Sequence, residues 1–125
     1  MKIKNEVLVN SAQVLRKLNA AELPIRLSYK LAKNIKNIDK ELALYEEEKQ
    51  KLIGKYGEKD AEGKVKQNDD GTINIANAPE WNKDINELLA IEADISIEKI
   101  SIEELGKCDF KVSPGEIALI DYLIK

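Results

Sequence analysis

The chain has 125 residues, of which 43% are hydrophobic, 34% charged and only 5% aromatic; its net charge is −3 and it contains no histidine. That length supports one domain with a modest aliphatic core, and the balance of apolar to charged residues suits a folded rather than a disordered chain. Without imidazole, the commonest general base near neutral pH, the commonest transition-metal ligand and every His-dependent triad are excluded, so the expectation is no enzyme and no cofactor.

The single cysteine, Cys108, excludes an internal disulfide and suits a reducing cytoplasm. Lying between Lys107 and Asp109 with no histidine to activate it, Cys108 reads as an ordinary free thiol. No apolar run approaches the roughly 20 residues of a membrane span, and the charged start MKIKNEVLVNSAQ has too short an apolar segment for a secretory signal. No membrane partner is expected.

In chain order, IKNEVLV (3–9) carries strand-forming residues with Ile3, Val7 and Val9 on one parity. Asn10 or Ser11 then suits the cap of a short helix, AQVLRKLNAAEL, with Val14, Leu15 and Leu18 on its apolar face. Pro24 opens the strongest element, a helix over 24–57. There Leu31, Ile35, Ile38, Leu42, Tyr45, Lys49, Leu52 and Tyr56 recur in alternating steps of four and three, a heptad seam that also absorbs Tyr45 and Tyr56. About 33 helical residues would measure on the order of 50 Å, which demands a partner helix beside them. APEWNKDINELLAIEADI supplies one over 78–93, with Pro79 in its first turn and Trp81, Ile85 and Leu88 on the face turned to the seam. Because it is shorter, an uncovered part of the seam would favour a homo-oligomer.

Between these helices, EKDAEGKVKQND (58–69) places Glu58, Asp60, Glu62 and Asp69 near the spacing of a calcium loop, with Gly63 at its sixth position. The first ligand is not Asp, the twelfth is not Glu, and strand residues follow where a helix should begin. The better reading is a β-hairpin over 63–76: Gly57 ends the helix, and Lys64-Val65-Lys66 and Thr72-Ile73-Asn74-Ile75 are joined by Gln67-Asn68-Asp69-Asp70-Gly71. No metal is expected.

The remainder, 94–125, reads as a strand and a C-terminal helix. ADISIEKISI alternates isoleucines on two parities, with a break near Glu98–Lys99. SIEE (101–104) and SPGE (113–116) both match the capping box. The fold class is therefore α+β, mainly α: one domain built on a long antiparallel helical hairpin, with the β-hairpin at its tip and a small mixed base.

Charge is uneven. Residues 1–40 hold nine Lys/Arg against three Asp/Glu, while residues 41–125 hold eleven against twenty. Arg26, Lys30, Lys33 and Lys40 follow one stripe of the long helix, making them the candidate partner-binding residues, either for an acidic protein surface or for phosphates. The alternative is that they face Glu80, Asp84 and Glu87 of the second helix or are merely solvated. Few aromatics accompany the stripe and the total charge is negative, so nucleic acid is not the expected partner. Glu46-Glu47-Glu48 reads as a solvated face beside Lys49 and Lys51.

The order LPIRLSYKLAKNIKNIDKEL, YEEEKQKLIGKYGEKDAEGK, EWNKDINELLAIEADISI and SPGEIALIDYLI resembles a family of small uncharacterised proteins of tailed bacteriophages and prophages. Those genes often lie near genes for virion structure. The resemblance spans about residues 22–124, and the chain departs from it in Trp81 and in a longer NDDGTINIANAPE region. It implies a phage setting in a host cytoplasm, with or without incorporation in the virion, and it carries no catalytic residues. The function it suggests is a non-enzymatic role in virion or tail assembly through contacts with other proteins. The alternative is a host-directed inhibitor or counter-defence protein that binds a bacterial enzyme or nucleic acid.

Overall fold

The computed structural model describes residues 1–108 and 110–125; Asp109, named above beside Cys108, lies outside the described residues. The chain is mainly helical with a small two-stranded antiparallel sheet, an α+β protein. In chain order it forms β1 (Lys2–Lys4), α1 (Asn5–Ala20), α2 (Ile25–Tyr56), α3 (Ala78–Ala90), β2 (Glu92–Asp94), α4 (Ile102–Gly106), α5 (Pro114–Leu119) and a 3-10 turn (Asp121–Leu123). No helix is long and apolar enough, among the described residues, to cross a membrane. The residues divide into two compact units, one of Met1–Leu42 with Glu92–Lys125 and one of Ala43–Ile91.

The first unit holds the hydrophobic core. β1 and β2 pair antiparallel with Ile3 opposite Ala93, and both side chains are buried. The chain then turns helical at Asn5, where a strand through residue 9 was expected. Leu8, Ser11, Val14, Leu15 and Leu18 bury one face of α1, whereas Val7 is exposed. Helical burial outweighs the strand preference of Val7 and Val9, because parity along 3–9 would bury Val7 and expose Leu8. Ser11 does not cap a helix. It is fully buried in mid-helix, donates to the Leu8 carbonyl at 3.0 Å and shares a 2.8 Å hydrogen bond with the Tyr122 hydroxyl.

α2 buries Leu27, Leu31, Asn34 and Ile38 in this unit, with Ile35 and Leu42 packed against the same core. Here α1, the segment after β2 and the C-terminal residues cover the stripe, so Leu31 and Ile38 are not left bare for another copy of the chain. Over Leu31, Ile35, Ile38 and Leu42, the uncovered seam expected from the shortness of the second helix is thereby corrected. The large apolar side chains exposed on α2 lie off the seam: Ile25, Tyr29 and Leu44.

Just after β2, Ile95 still donates to the Met1 carbonyl, but the backbone groups of Ser96 and Glu98 find side chains instead of a neighbouring strand. Asn34 donates through Nδ2 to the Glu98 carbonyl at 2.8 Å and accepts the Glu98 N–H at 2.9 Å, and Asn37 donates to the Ser96 carbonyl at 3.1 Å. The strand expected over 93–100 is thus only Glu92–Asp94, and the second helix ends at Ala90 rather than 93. Ile100 regains backbone pairing, donating to the Leu123 carbonyl and accepting from the Lys125 N–H. Ser101 and Ser113 each form complete capping boxes, with Glu104 and Glu116. Lys17 of α1 clasps both oxygens of Glu116 at 3.1 Å.

In the second unit, the end of α2 leads into two tight turns. Asp60–Gly63 and Asn68–Gly71 each close with the glycine N–H donating to the carbonyl three residues earlier, at 3.0 and 2.9 Å. Each glycine sits at positive φ, +83° and +87°. In both turns an aspartate carboxylate organises the backbone: Asp60 accepts the N–H groups of Glu62 and Lys64, and Asp70 accepts the Thr72 N–H. Single bridges join Gln67 to Ile73, Lys59 to Val65 and Gly57 to Ile75, so the two strands expected over 63–76 reduce to isolated bridges in which 57–59 also takes part.

Gly57 is not in the left-handed conformation expected of a helix-ending glycine. It serves close approach: a Cβ there would lie 2.7 Å from the Ile53 carbonyl and 3.0 Å from Val65. α3 begins with Asn77 accepting the Glu80 N–H. Tyr56 meets Trp81 edge to face, ring centroids 6.4 Å apart, and its hydroxyl donates to Asp84 at 2.5 Å.

Candidate partner-binding groove

The sequence after Pro24 places two apolar residues out of phase with the buried stripe. Leu27 and Leu31 point into the core, and so Ile25 and Tyr29, one helical turn apart, point out. Ile25 is 85% exposed and Tyr29 67%, large values for side chains of this size. Arg26, Lys30 and Lys33 flank them, and with Glu98 from the extended segment they line a groove of about 420 Å³.

The sequence-nominated residues separate at this point. Arg26 is exposed and carries no ion pair among the described residues. Lys33 stands 5.3 Å above the centre of the Tyr29 ring, a cation–π contact that stiffens both side chains. Lys30 is half-buried and turned toward Glu104 at 3.5 Å, so the alternative of a pairing with the second helix gives way to a partner on α4. Lys40 is exposed but is not among the groove's lining residues. Three of the four nominated residues therefore share one surface. Ile25 was not singled out, though its signal was present: an isoleucine displaced from the heptad positions directly after a proline. Glu98 came from too far along the chain for helical spacing to find.

Chemically, the groove offers an aliphatic and an aromatic side chain bordered by cations. It suits an apolar anchor with carboxylates beside it. It holds no paired nucleophile and base, and the described residues contain no group of three metal-ligating side chains.

Two other concavities differ in kind. One of about 490 Å³ is bounded by Leu18, Ile102, Leu105, Phe110, Ile117 and Ile120 and continues the first unit's core. The second unit has a groove of about 250 Å³ where Glu48, Asp84 and Glu87 border Leu52 and Ile91, and Ile91 is 54% exposed. Cys108 is half-buried, with its thiol donating to the Glu104 carbonyl.

Comparison with protein-family models, with curated proteins and with solved structures finds no match to this chain.

Proposed function

We propose that this chain is a non-enzymatic phage protein that works through protein–protein contacts, in virion or tail assembly. The observation that carries the reading is the exposed pair Ile25 and Tyr29 set among Arg26 and Lys33. Two large apolar side chains held in water on a rigid helix are costly to leave bare, and rigid aromatic and arginine anchors are what partner surfaces favour. The phage setting rests on the sequence resemblance alone. In this reading Ala43–Tyr56 of α2 and α3 are the arms of an antiparallel helical hairpin with residues 57–76 at its tip. The Tyr56 contacts to Trp81 and Asp84 tie the arms together.

The test is quantitative mass spectrometry of purified virions carrying either the wild-type chain or Ile25→Asp with Arg26→Glu. Many copies of the wild type and few of the variant are the expected result. Absence of the wild type from virions would defeat the assembly role, and recovery of a bacterial protein on the groove would favour the host-directed inhibitor instead.

A further inference from the structure

We infer that a second copy of this chain fills the basic groove, presenting the acidic groove of its own second unit, so that the protein associates head to tail. This names the partner of the contact surface proposed above and rests on that reading.

The two grooves are opposite in charge and alike in apolar content, with Glu98 the one carboxylate that lines the basic groove. One sets Ile25 and Tyr29 among Arg26 and Lys33; the other sets Leu52 and Ile91 among Glu48, Asp84 and Glu87. Each has a strongly exposed aliphatic residue, Ile25 and Ile91, able to leave water only in company. Part of the charge is already committed within the chain: Lys30 to Glu104, Glu48 to Lys51 and Asp84 to the Tyr56 hydroxyl. Arg26 and Glu87 make no ion pair among the described residues and are the natural cross-partners. Net charge points the same way. The first unit has thirteen Lys/Arg against twelve Asp/Glu, and the second has seven against eleven.

Symmetry decides between modes of self-association. A two-fold dimer through the basic groove would set Arg26 and Lys33 against their own copies, and one through the acidic groove would oppose Glu87 to Glu87. Like charges across an interface are strongly disfavoured. Only a basic-to-acidic contact satisfies both faces, and in its heterologous form that contact repeats until it closes into a ring or runs on as a filament.

The test uses sedimentation of the full chain at low and high salt with two variants. One carries Ile25→Asp, Arg26→Glu and Lys33→Glu, and the other carries Glu87→Lys and Ile91→Lys. The wild type should form species heavier than two 14.1 kDa chains, and salt should dissociate them as it screens the charges. Each variant alone should associate on the order of tenfold or more weakly. An equal mixture should associate more strongly than either variant alone, because the intact basic groove of one meets the intact acidic groove of the other. Circular dichroism verifies the helices; should either variant lose them, Ile25→Ser and Ile91→Ser replace it in the same scheme.

The inference is overturned by a wild type that stays monomeric up to about 1 mM, by a variant that assembles like the wild type, or by a mixture that restores nothing. A monomeric wild type that still enters virions through Ile25 and Arg26 would defeat self-association and leave the contact-surface reading standing. Assembly without virion incorporation would do the reverse.

Discussion

Asn34 grips the backbone of Glu98 with both ends of its amide, donating to the carbonyl at 2.8 Å and accepting the N–H at 2.9 Å. A helix side chain thereby plays the part of a neighbouring strand. Asn34 is only 1% exposed, on the same face as Leu31 and Ile38, so its amide must be satisfied from within the fold.

Replacing it tests that dependence. Asn34→Leu keeps the volume but strands two backbone groups, with an expected cost of about 1–3 kcal/mol in urea unfolding. Hydrogen exchange at the Glu98 amide should accelerate in step. Asn37→Ala removes an exposed bond to Ser96 and should cost less than about 0.5 kcal/mol. Equal effects of the two would refute the assignment.

Two glycines of one helix end should respond in opposite directions. Gly57→Ala drives a methyl to 2.7 Å from the Ile53 carbonyl and should destabilise by about 1–3 kcal/mol. At Gly54, three residues earlier within α2, a methyl would meet nothing within 4 Å, so Gly54→Ala should stabilise by roughly 0.5–1 kcal/mol through helix propensity. Thermal melts of both variants decide it.

Tyr122 links stability to alkaline pH. Burial, partly offset by its hydrogen bond with Ser11, pushes its phenol above the ordinary tyrosine value of 10.0. The folded state therefore keeps a proton that the unfolded chain has already released, so stability is intact below about pH 10 and falls as pH rises through the raised value. Tyr122→Phe should cost about 1 kcal/mol at neutral pH, the worth of one hydrogen bond, and should flatten the alkaline decline. Tyr45, raised chiefly by burial, and Tyr56, raised chiefly by its bond to Asp84, keep part of that slope. A variant with the wild-type alkaline profile would contradict the assignment.

Glu116 gives the opposite slope at acid pH. The Ser113 N–H, and after it the Lys17 ammonium, hold its carboxyl below the usual glutamate value. The unfolded chain takes up the proton first as pH falls, so the contribution is present above the ordinary glutamate range and is lost below it. Glu116→Gln should shallow the acid limb of a stability–pH profile, while Glu104, held low chiefly by the Ser101 N–H, and Asp70, held low chiefly by the Thr72 hydroxyl, keep part of it. An unchanged limb would show that the capping carboxylate is energetically silent.

What the linear sequence settled by itself is what depends on neighbours close along the chain. Alternating steps of four and three from Leu31 to Tyr56 lie within one continuous helix, and the serine–glutamate pairs at 101–104 and 113–116 cap helix starts, because helix spacing and caps act over three or four residues. Residues 3–9 misled for a reason visible in the fold. α1 starts at Asn5 and the preceding Lys4 gives it no side-chain cap, and its buried stripe passes through Ser11, whose polarity hides the periodicity until Tyr122 supplies a partner.

Only the tertiary structure decided what covers the long helix, that Asn34 receives Glu98, and that Ile25, Tyr29 and Glu98 share one groove. The last two outcomes join residues more than sixty positions apart, where burial and the satisfaction of backbone polar groups decide and no local pattern carries the information.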